Sequence, residues 1–105
     1  MSLEFHPAAS VSQVAANTGL HVVVAEHDIA LFNLAGTFYA IDGICTHGAA
    51  RLAEGYVEGE LIECPQHAGT FEIKTGRAVD IPCTVDVARY EVKVEGDTVL
   101  IGIDA

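Results

Sequence analysis

The sequence predicts an all-β fold of antiparallel strands, and three observations carry that prediction. Short apolar runs rich in Val, Ile and Phe recur at both ends of the chain, short turn-like segments separate them, and only one segment has helical character. Between the two ends lies a glycine-rich middle in which regular strands give way to loops.

Taken in order, Ser10 to Asn17 is the one candidate helix, with Ser10 as its cap and Gly19 closing it. Val11 and Val14 oppose it, so a turn or two is the most expected there. His21-Val22-Val23-Val24-Ala25 and Ile29-Ala30-Leu31-Phe32-Asn33 flank a turn at His27-Asp28. Thr37-Phe38-Tyr39-Ala40-Ile41 follows a turn at Ala35-Gly36, giving a meander of tight hairpins. The middle, roughly Gly43 to Gly76, also holds Gly48, Gly55, Gly59 and Gly69, a frequency that signals tight turns and close backbone approach. Within it Val57, Leu61 and Ile62 can pair about Glu58-Gly59. Ala88 to Val94 and Thr98 to Ile103 form a last hairpin about Glu95-Gly96-Asp97. Arg89, Glu91 and Lys93 alternate with Tyr90, Val92 and Val94, the period of a half-buried strand.

At 105 residues the chain fits a single domain, 1–105, with no repeat, low-complexity tract or linker to divide it. A domain so small gains from a cross-link such as a metal site. Half of its residues are hydrophobic, yet no apolar stretch approaches the roughly 18 residues a membrane helix needs. Glu4 and His6 stand where a signal peptide would carry basic and then apolar residues, so a cytoplasmic location is expected. Three cysteines do not make an even disulfide set; reduced or metal-bound thiols fit better. Five Lys and Arg against 15 Asp and Glu give a net charge of -10, which disfavours nucleic acid and favours steered encounters with a basic protein face.

The chemistry concentrates in Cys45-Thr46-His47-Gly48 and Cys64-Pro65-Gln66-His67-Ala68-Gly69, a C-x-H and a C-x-x-H separated by 16 residues. Each piece offers one thiolate and one imidazole, and two such loops brought together by a hairpin supply four ligands. Cysteine is also a common small core residue, but two matched pairs beside glycine and proline turns are hard to explain that way. Zinc is the stronger competitor, since two Cys and two His can close a tetrahedral site. Zinc fingers usually pair like with like along the chain, however, whereas each loop here is mixed, an order better suited to two unlike irons.

At these four residues the sequence resembles the Rieske family, whose motif is C-x-H followed by C-x-x-H. The likeness extends to Phe38-Tyr39-Ala40-Ile41-Asp42 before the first loop and Gly69-Thr70-Phe71-Glu72 after the second. It is strongest to the stand-alone ferredoxins of bacterial aromatic-ring-hydroxylating dioxygenases. The resemblance implies a Rieske fold: an antiparallel sheet scaffold with an inserted cluster-binding subdomain at roughly 43–76. It implies one 2Fe-2S cluster, with Cys45 and Cys64 on one iron and His47 and His67 on the other. Two ferric ions, two sulfides and two thiolates sum to a neutral centre, whereas four thiolates would leave it anionic, so an electron enters more easily and settles on the imidazole-bound iron. Ala50 and Gln66 stand where high-potential relatives carry a bracing disulfide, and Gly69 and Phe71 where they carry Ser and Tyr donors.

The implied function is one-electron transfer from a flavin-containing NAD(P)H reductase to a terminal oxygenase of aromatic hydrocarbon catabolism. On this reading the chain is a component of a multicomponent system rather than an enzyme; no nucleophile-base pair or phosphate loop is legible. A small Rieske subunit of a larger oxidoreductase, such as assimilatory nitrite reductase, and a zinc-binding structural module are the alternatives. Cys83 has no histidine at ligand spacing and reads as a free thiol or a packing residue. Pro82 reads either as an ordinary strand-end proline or, by resemblance, as the family's proline-containing loop that covers the cluster from a third side. His6, His21 and His27 read as strand or surface residues. Backbone N–H groups of Thr46 to Ala50 and Gln66 to Gly69 are the expected donors to the sulfides.

Overall fold

A computed structural model describes residues 3–45, 50–66, 69–81 and 85–104. Among them the regular backbone is almost entirely strand. These are β1 (Leu3–Ser10), β2 (Thr18–Val24), β3 (His27–Leu34), β4 (Thr37–Asp42), β5 (Tyr56–Glu58), β6 (Leu61–Glu63), β7 (Thr70–Glu72), β8 (Ala78–Asp80), β9 (Arg89–Glu95) and β10 (Thr98–Asp104). The predicted all-β class holds. A six-stranded sheet runs in the order β1-β10-β9-β4-β3-β2 and a four-stranded sheet in the order β5-β6-β7-β8, with every pairing antiparallel.

The strand β3 explains how the two sheets are held together. Ile29 and Leu31 face one core, with Val24, Ala40, Val99 and Ile101, inside the large sheet, whose outer strands β1 and β2 approach each other. Ala30, Phe32 and Leu34 face a second core, shared with Ile41, Leu52, Ile62, Phe71 and Ile73, between the large sheet and the small one. Both faces of β3 are thus buried, which is why its sequence reads as a nearly continuous apolar run instead of alternating. Asn33 is its one buried polar residue. Its Nδ2 donates to the Val14 carbonyl at 2.9 Å and its Oδ1 accepts from the Gly36 amide at 2.8 Å, so the amide is satisfied at both ends.

The hairpins follow the turn chemistry with two corrections, the smaller being that Glu58 pairs with Leu61, so the β5-β6 turn lies at Gly59-Glu60 and not at Glu58-Gly59. Ala35 and Gly36 form the β3-β4 turn with φ of 52° and 96°, Gly59 opens the β5-β6 turn at 60°, and Gly96 opens the β9-β10 turn at 59°. The β2-β3 turn, by contrast, lies at Ala25-Glu26, with φ of 48° and 70°, and not at His27-Asp28. A turn at His27-Asp28 would place Ile29 at the hairpin tip; the observed one buries it completely. Burying an isoleucine contributes about 1.5–3 kcal/mol, enough to offset much of a left-handed conformation at two non-glycine residues.

The N-terminal region departs further from expectation. β1 was not predicted, because Glu4, His6 and Pro7 break its alternation; it pairs along β10 at the sheet edge, with a register shift between Pro7 and Ala9 where proline is tolerated. Of the candidate helix only a 3-10 turn at Val11–Gln13 forms, with the Ser10 amide donating to Gln13 Oε1 at 2.8 Å. Gly19 does not close it. That residue lies in β2 opposite Phe32, where a Cβ would come within 2.6 Å of the ring, so glycine is needed for packing.

Candidate metal centre

Two loops, one from each sheet, carry the predicted ligands. The first leaves β4 through Gly43 and Ile44 and begins at Cys45, whose N–H donates to the Ala50 carbonyl at 2.9 Å; Ile44 bridges Arg51 just below. The second leaves β6 and begins at Cys64, whose N–H donates to the Gly69 carbonyl at 2.8 Å, above the β6-β7 pair Glu63 and Thr70. Each cysteine amide is therefore bonded to the carbonyl five residues on, and the two loops enclose the same number of residues, 46–49 and 65–68. The C-x-H and C-x-x-H spacings differ, yet they sit on loops of one length.

Close backbone approach sets these loops on their sheets. Gly43 donates its N–H to the Asp28 carbonyl and accepts from the Leu52 amide, both at 2.8 Å, and a Cβ at Gly43 would lie 2.9 Å from the Ile29 nitrogen. At Gly55, before β5, a Cβ would run into the Glu63 carbonyl oxygen. Glycine at these two positions lets the chain on either side of Cys45 press against β3 and β6.

Cys45 and Cys64 are 2% and 1% exposed and lie in one buried cluster with Ala50, Leu52, Ile62, Phe71, Ile73 and Val87. A thiolate in such apolar surroundings needs a positive partner, which a bound metal supplies. The inward row Val57, Ile62, Phe71 and Ala78 of the small sheet builds one wall of that cluster through its cross-strand register. A donor set of two buried sulfurs on paired loops fits an iron-sulfur group. His47 and His67 lie outside the described residues, as do Pro82, Cys83, Thr46, Gly48, Ala49 and Ala68.

The remaining histidines behave as expected of strand and surface residues. His6 lies 3.7 Å from Glu4, His21 Nε2 lies 3.0 Å from Asp28 Oδ1, and His27 meets the Tyr90 ring edge-on at 5.9 Å between centroids. Among the described residues no three His, Cys, Asp or Glu side chains are grouped to share a metal. No described helix is long and apolar enough to cross a membrane.

A third connection was missed by sequence reasoning. The segment returning from the small sheet to β9 is held by the Asp86 carboxylate, which accepts from the Ala78 amide at 2.8 Å, and by the Val87 amide, which donates to the Gly76 carbonyl at 2.8 Å. Asp42, at the end of β4, then meets Ala88 and Tyr90. A lone Asp before Gly signals only a turn, and the partners lie 46 and 48 residues away.

Comparison with known proteins agrees with this geometry. The Rieske [2Fe-2S] domain matches residues 4–91. The chain is 40% identical over 103 residues to the ferredoxin component of a naphthalene 1,2-dioxygenase system from Pseudomonas aeruginosa, covering 98% of this chain and 99% of that one. It is similar to a ferredoxin from Sphingomonas yanoikuyae B1, with a TM-score of 0.90 and 33% identity over 96% of this chain and 100% of the other. It is also similar to a chain in a complex of reduced oxygenase and oxidized ferredoxin of carbazole 1,9a-dioxygenase, with a TM-score of 0.84 and 34% identity over 92% and 91%.

Proposed function

The chain belongs to the Rieske [2Fe-2S] domain family, and from that premise we propose that it is the ferredoxin component of an aromatic-ring-hydroxylating dioxygenase system. It takes electrons singly from a flavin-containing NAD(P)H reductase and delivers them to a terminal oxygenase in the cytoplasm. The cluster's ligands are Cys45 and Cys64 on one iron and His47 and His67 on the other. Residues 1–105 form a single domain, with the cluster-binding subdomain inserted at roughly 43–76.

The observation that carries this reading is the pair of equal loops, each opened by a buried cysteine and closed by the same backbone hydrogen bond. Full-length similarity to a naphthalene dioxygenase ferredoxin component supports the place in the electron chain. The carbazole 1,9a-dioxygenase relative, seen with its oxygenase, supports the choice of partner.

When bound, the cluster supplies reversible one-electron chemistry. The chain's own contribution is positional and dielectric. Cys45 and Cys64 hold their sulfurs on loops rooted in different sheets, and Leu52, Ile62 and Phe71 exclude water from the sulfur side. The closing bonds at Ala50 and Gly69 fix the backbone that must follow each thiolate around the centre.

Purified protein should be red-brown and contain iron and sulfide at about two each per chain, as a single cluster of this type requires. Cys64→Ser should abolish the Rieske spectrum, because a serine hydroxyl does not replace a thiolate at neutral pH, and His67→Cys should reshape it by adding a negative ligand. One zinc per colourless chain would overturn the assignment. Electron delivery is tested by mixing the reduced protein with a dioxygenase-type reductase and oxygenase pair and following cluster reoxidation.

A further inference from the structure

We propose that Asp42 is a positioning residue for the cluster, fixing the root of the Cys45 loop to the strand segment that leaves the small sheet. This inference rests on the cluster assignment above. The ladder between β4 and β9 is short, Ala40 opposite Tyr90 and Ile41 opposite Arg89. One residue further on, the side chain of Asp42 extends it. Its amide donates to the Ala88 carbonyl at 2.9 Å, its Oδ2 accepts from the Ala88 amide at 2.9 Å, and its Oδ1 accepts from the Tyr90 hydroxyl at 2.7 Å. Both carboxylate oxygens are thus committed to charge-assisted bonds, which are shorter and stronger than neutral ones.

What lies on either side of this clasp gives it its role. Toward the N-terminal loop, Gly43 and Ile44 alone separate Asp42 from Cys45. Toward the small sheet, Ala88 follows Val87, whose amide is bonded to Gly76, and Asp86, whose carboxylate is bonded to the Ala78 amide. Gly76 in turn donates to the Glu72 carbonyl at the end of β7, the strand that follows the Cys64 loop. The two ligand loops are rooted in different sheets, so the placement of their sulfurs depends on ties that cross between those sheets. Asp42 anchors the large-sheet end of such a tie. Its carboxylate holds Ala88 and Tyr90 at the β4-β9 edge of its own sheet, with the Tyr90 OH keeping Oδ1 oriented. The bonds of Asp86 and Val87, just before Ala88, make the crossing to the small sheet.

The test uses the full-length, cluster-loaded chain with Asp42→Ala, Asp42→Asn and Tyr90→Phe. Iron release to a chelator, the electron paramagnetic resonance spectrum of the reduced protein and far-UV circular dichroism are measured for each. Asp42→Ala is expected to keep the β-sheet spectrum, shift the resonance g-values and release iron faster by on the order of tenfold. Asp42→Asn, which retains one acceptor oxygen, and Tyr90→Phe, which retains the Ala88 bond, should shift the same g-values less. Combining Asp42→Ala with Tyr90→Phe should add little to Asp42→Ala alone, because both act through one clasp. Should Asp42→Ala not fold, the two milder variants decide. Wild-type g-values and iron release in them would overturn the proposal. So would a change in midpoint potential equal in Asp42→Asn and Asp42→Ala with unaltered g-values and iron release, which would mark a charge effect without positioning. A wild-type chain lacking the Rieske signal would instead defeat the cluster assignment itself.

Discussion

Phe71 and Gly69 show how single residues set what this centre can do. Phe71 is fully buried in the cluster that also holds Cys45 and Cys64, and the Gly69 carbonyl closes the second loop. Neither side chain carries a hydroxyl, so two donors that stabilise the added electron in high-potential relatives are missing. By the same family resemblance, Ala50 and Gln66 stand where high-potential relatives carry the cysteines of a bracing disulfide. Hydrogen bonds around the cluster are a main lever on its potential, so the midpoint should fall toward the low end of the range of roughly -150 to +300 mV. Voltammetry at neutral pH checks this, and Gly69→Ser and Phe71→Tyr should each raise the midpoint; a wild-type value above about +100 mV would contradict it. The ligand-type residues could be read directly from the sequence because their spacing is short and local. Asp42 could not, since its meaning depends on Ala88 and Tyr90, which only the β4-β9 pairing brings near.

Individual elements divide along the same line between local and distant causes. Turns with glycine at the position of positive φ, at Gly36, Gly59 and Gly96, were legible because glycine alone accepts that conformation freely. The Ala25-Glu26 turn carried no such signal, and it is imposed by the burial of Ile29. β1 was hidden by Pro7 and its polar residues; its partner β10 lies at the far end of the chain. Gly76 combines both kinds of constraint. Its φ is 80°, and a Cβ there would strike the Val87 carbonyl oxygen. Gly76→Ala should therefore lower stability by about 2 kcal/mol or more, seen as a lower thermal midpoint and faster cluster loss. The β4-β9 junction adds a pH dependence. Burial, then the hydrogen bond to Asp42 and its charge, raise the Tyr90 hydroxyl well above the ordinary tyrosine value. The folded state keeps its proton where the unfolded chain, near pH 10, gives it up. The stabilisation is thus complete below about pH 10 and is lost as pH rises beyond it. Tyr90→Phe should flatten that part of the melting-temperature profile; an unchanged slope would show that other groups produce it.

Across the whole molecule the 15 carboxylates and five cations are not spread evenly. Every Lys and Arg sits beside a glutamate: Arg51 by Glu54, Lys74 by Glu60, Arg77 by Glu72, Arg89 by Glu91 and Lys93 by Glu95, at 3.0–3.8 Å. These pairs are solvent-exposed and add little stability each. Their larger effect is to leave the net charge of -10 on the remaining carboxylates. Three of those, Glu58, Glu63 and Asp80, line one groove with Tyr56, Leu61 and Thr70 on the outer face of the small sheet, the sheet that carries the Cys64 loop. Net acidity could be counted from the sequence. The grouping of these three on one face could not, because it arises from the register that sets Tyr56, Glu63, Thr70 and Asp80 in one row across four strands. Such a field attracts a basic partner over distances comparable with the Debye length and is screened by salt. Electron transfer to a reductase or oxygenase partner at limiting protein concentration should therefore slow by on the order of tenfold from low to physiological ionic strength, with the change residing in the association step. Glu63→Gln together with Asp80→Asn should flatten that dependence. An alternative surface is available in Ile81 and Val85, 81% and 61% exposed on either side of residues 82–84. Rates that ignore salt, but fall when Ile81 is replaced by serine, would assign docking to that apolar rim in place of the acidic face.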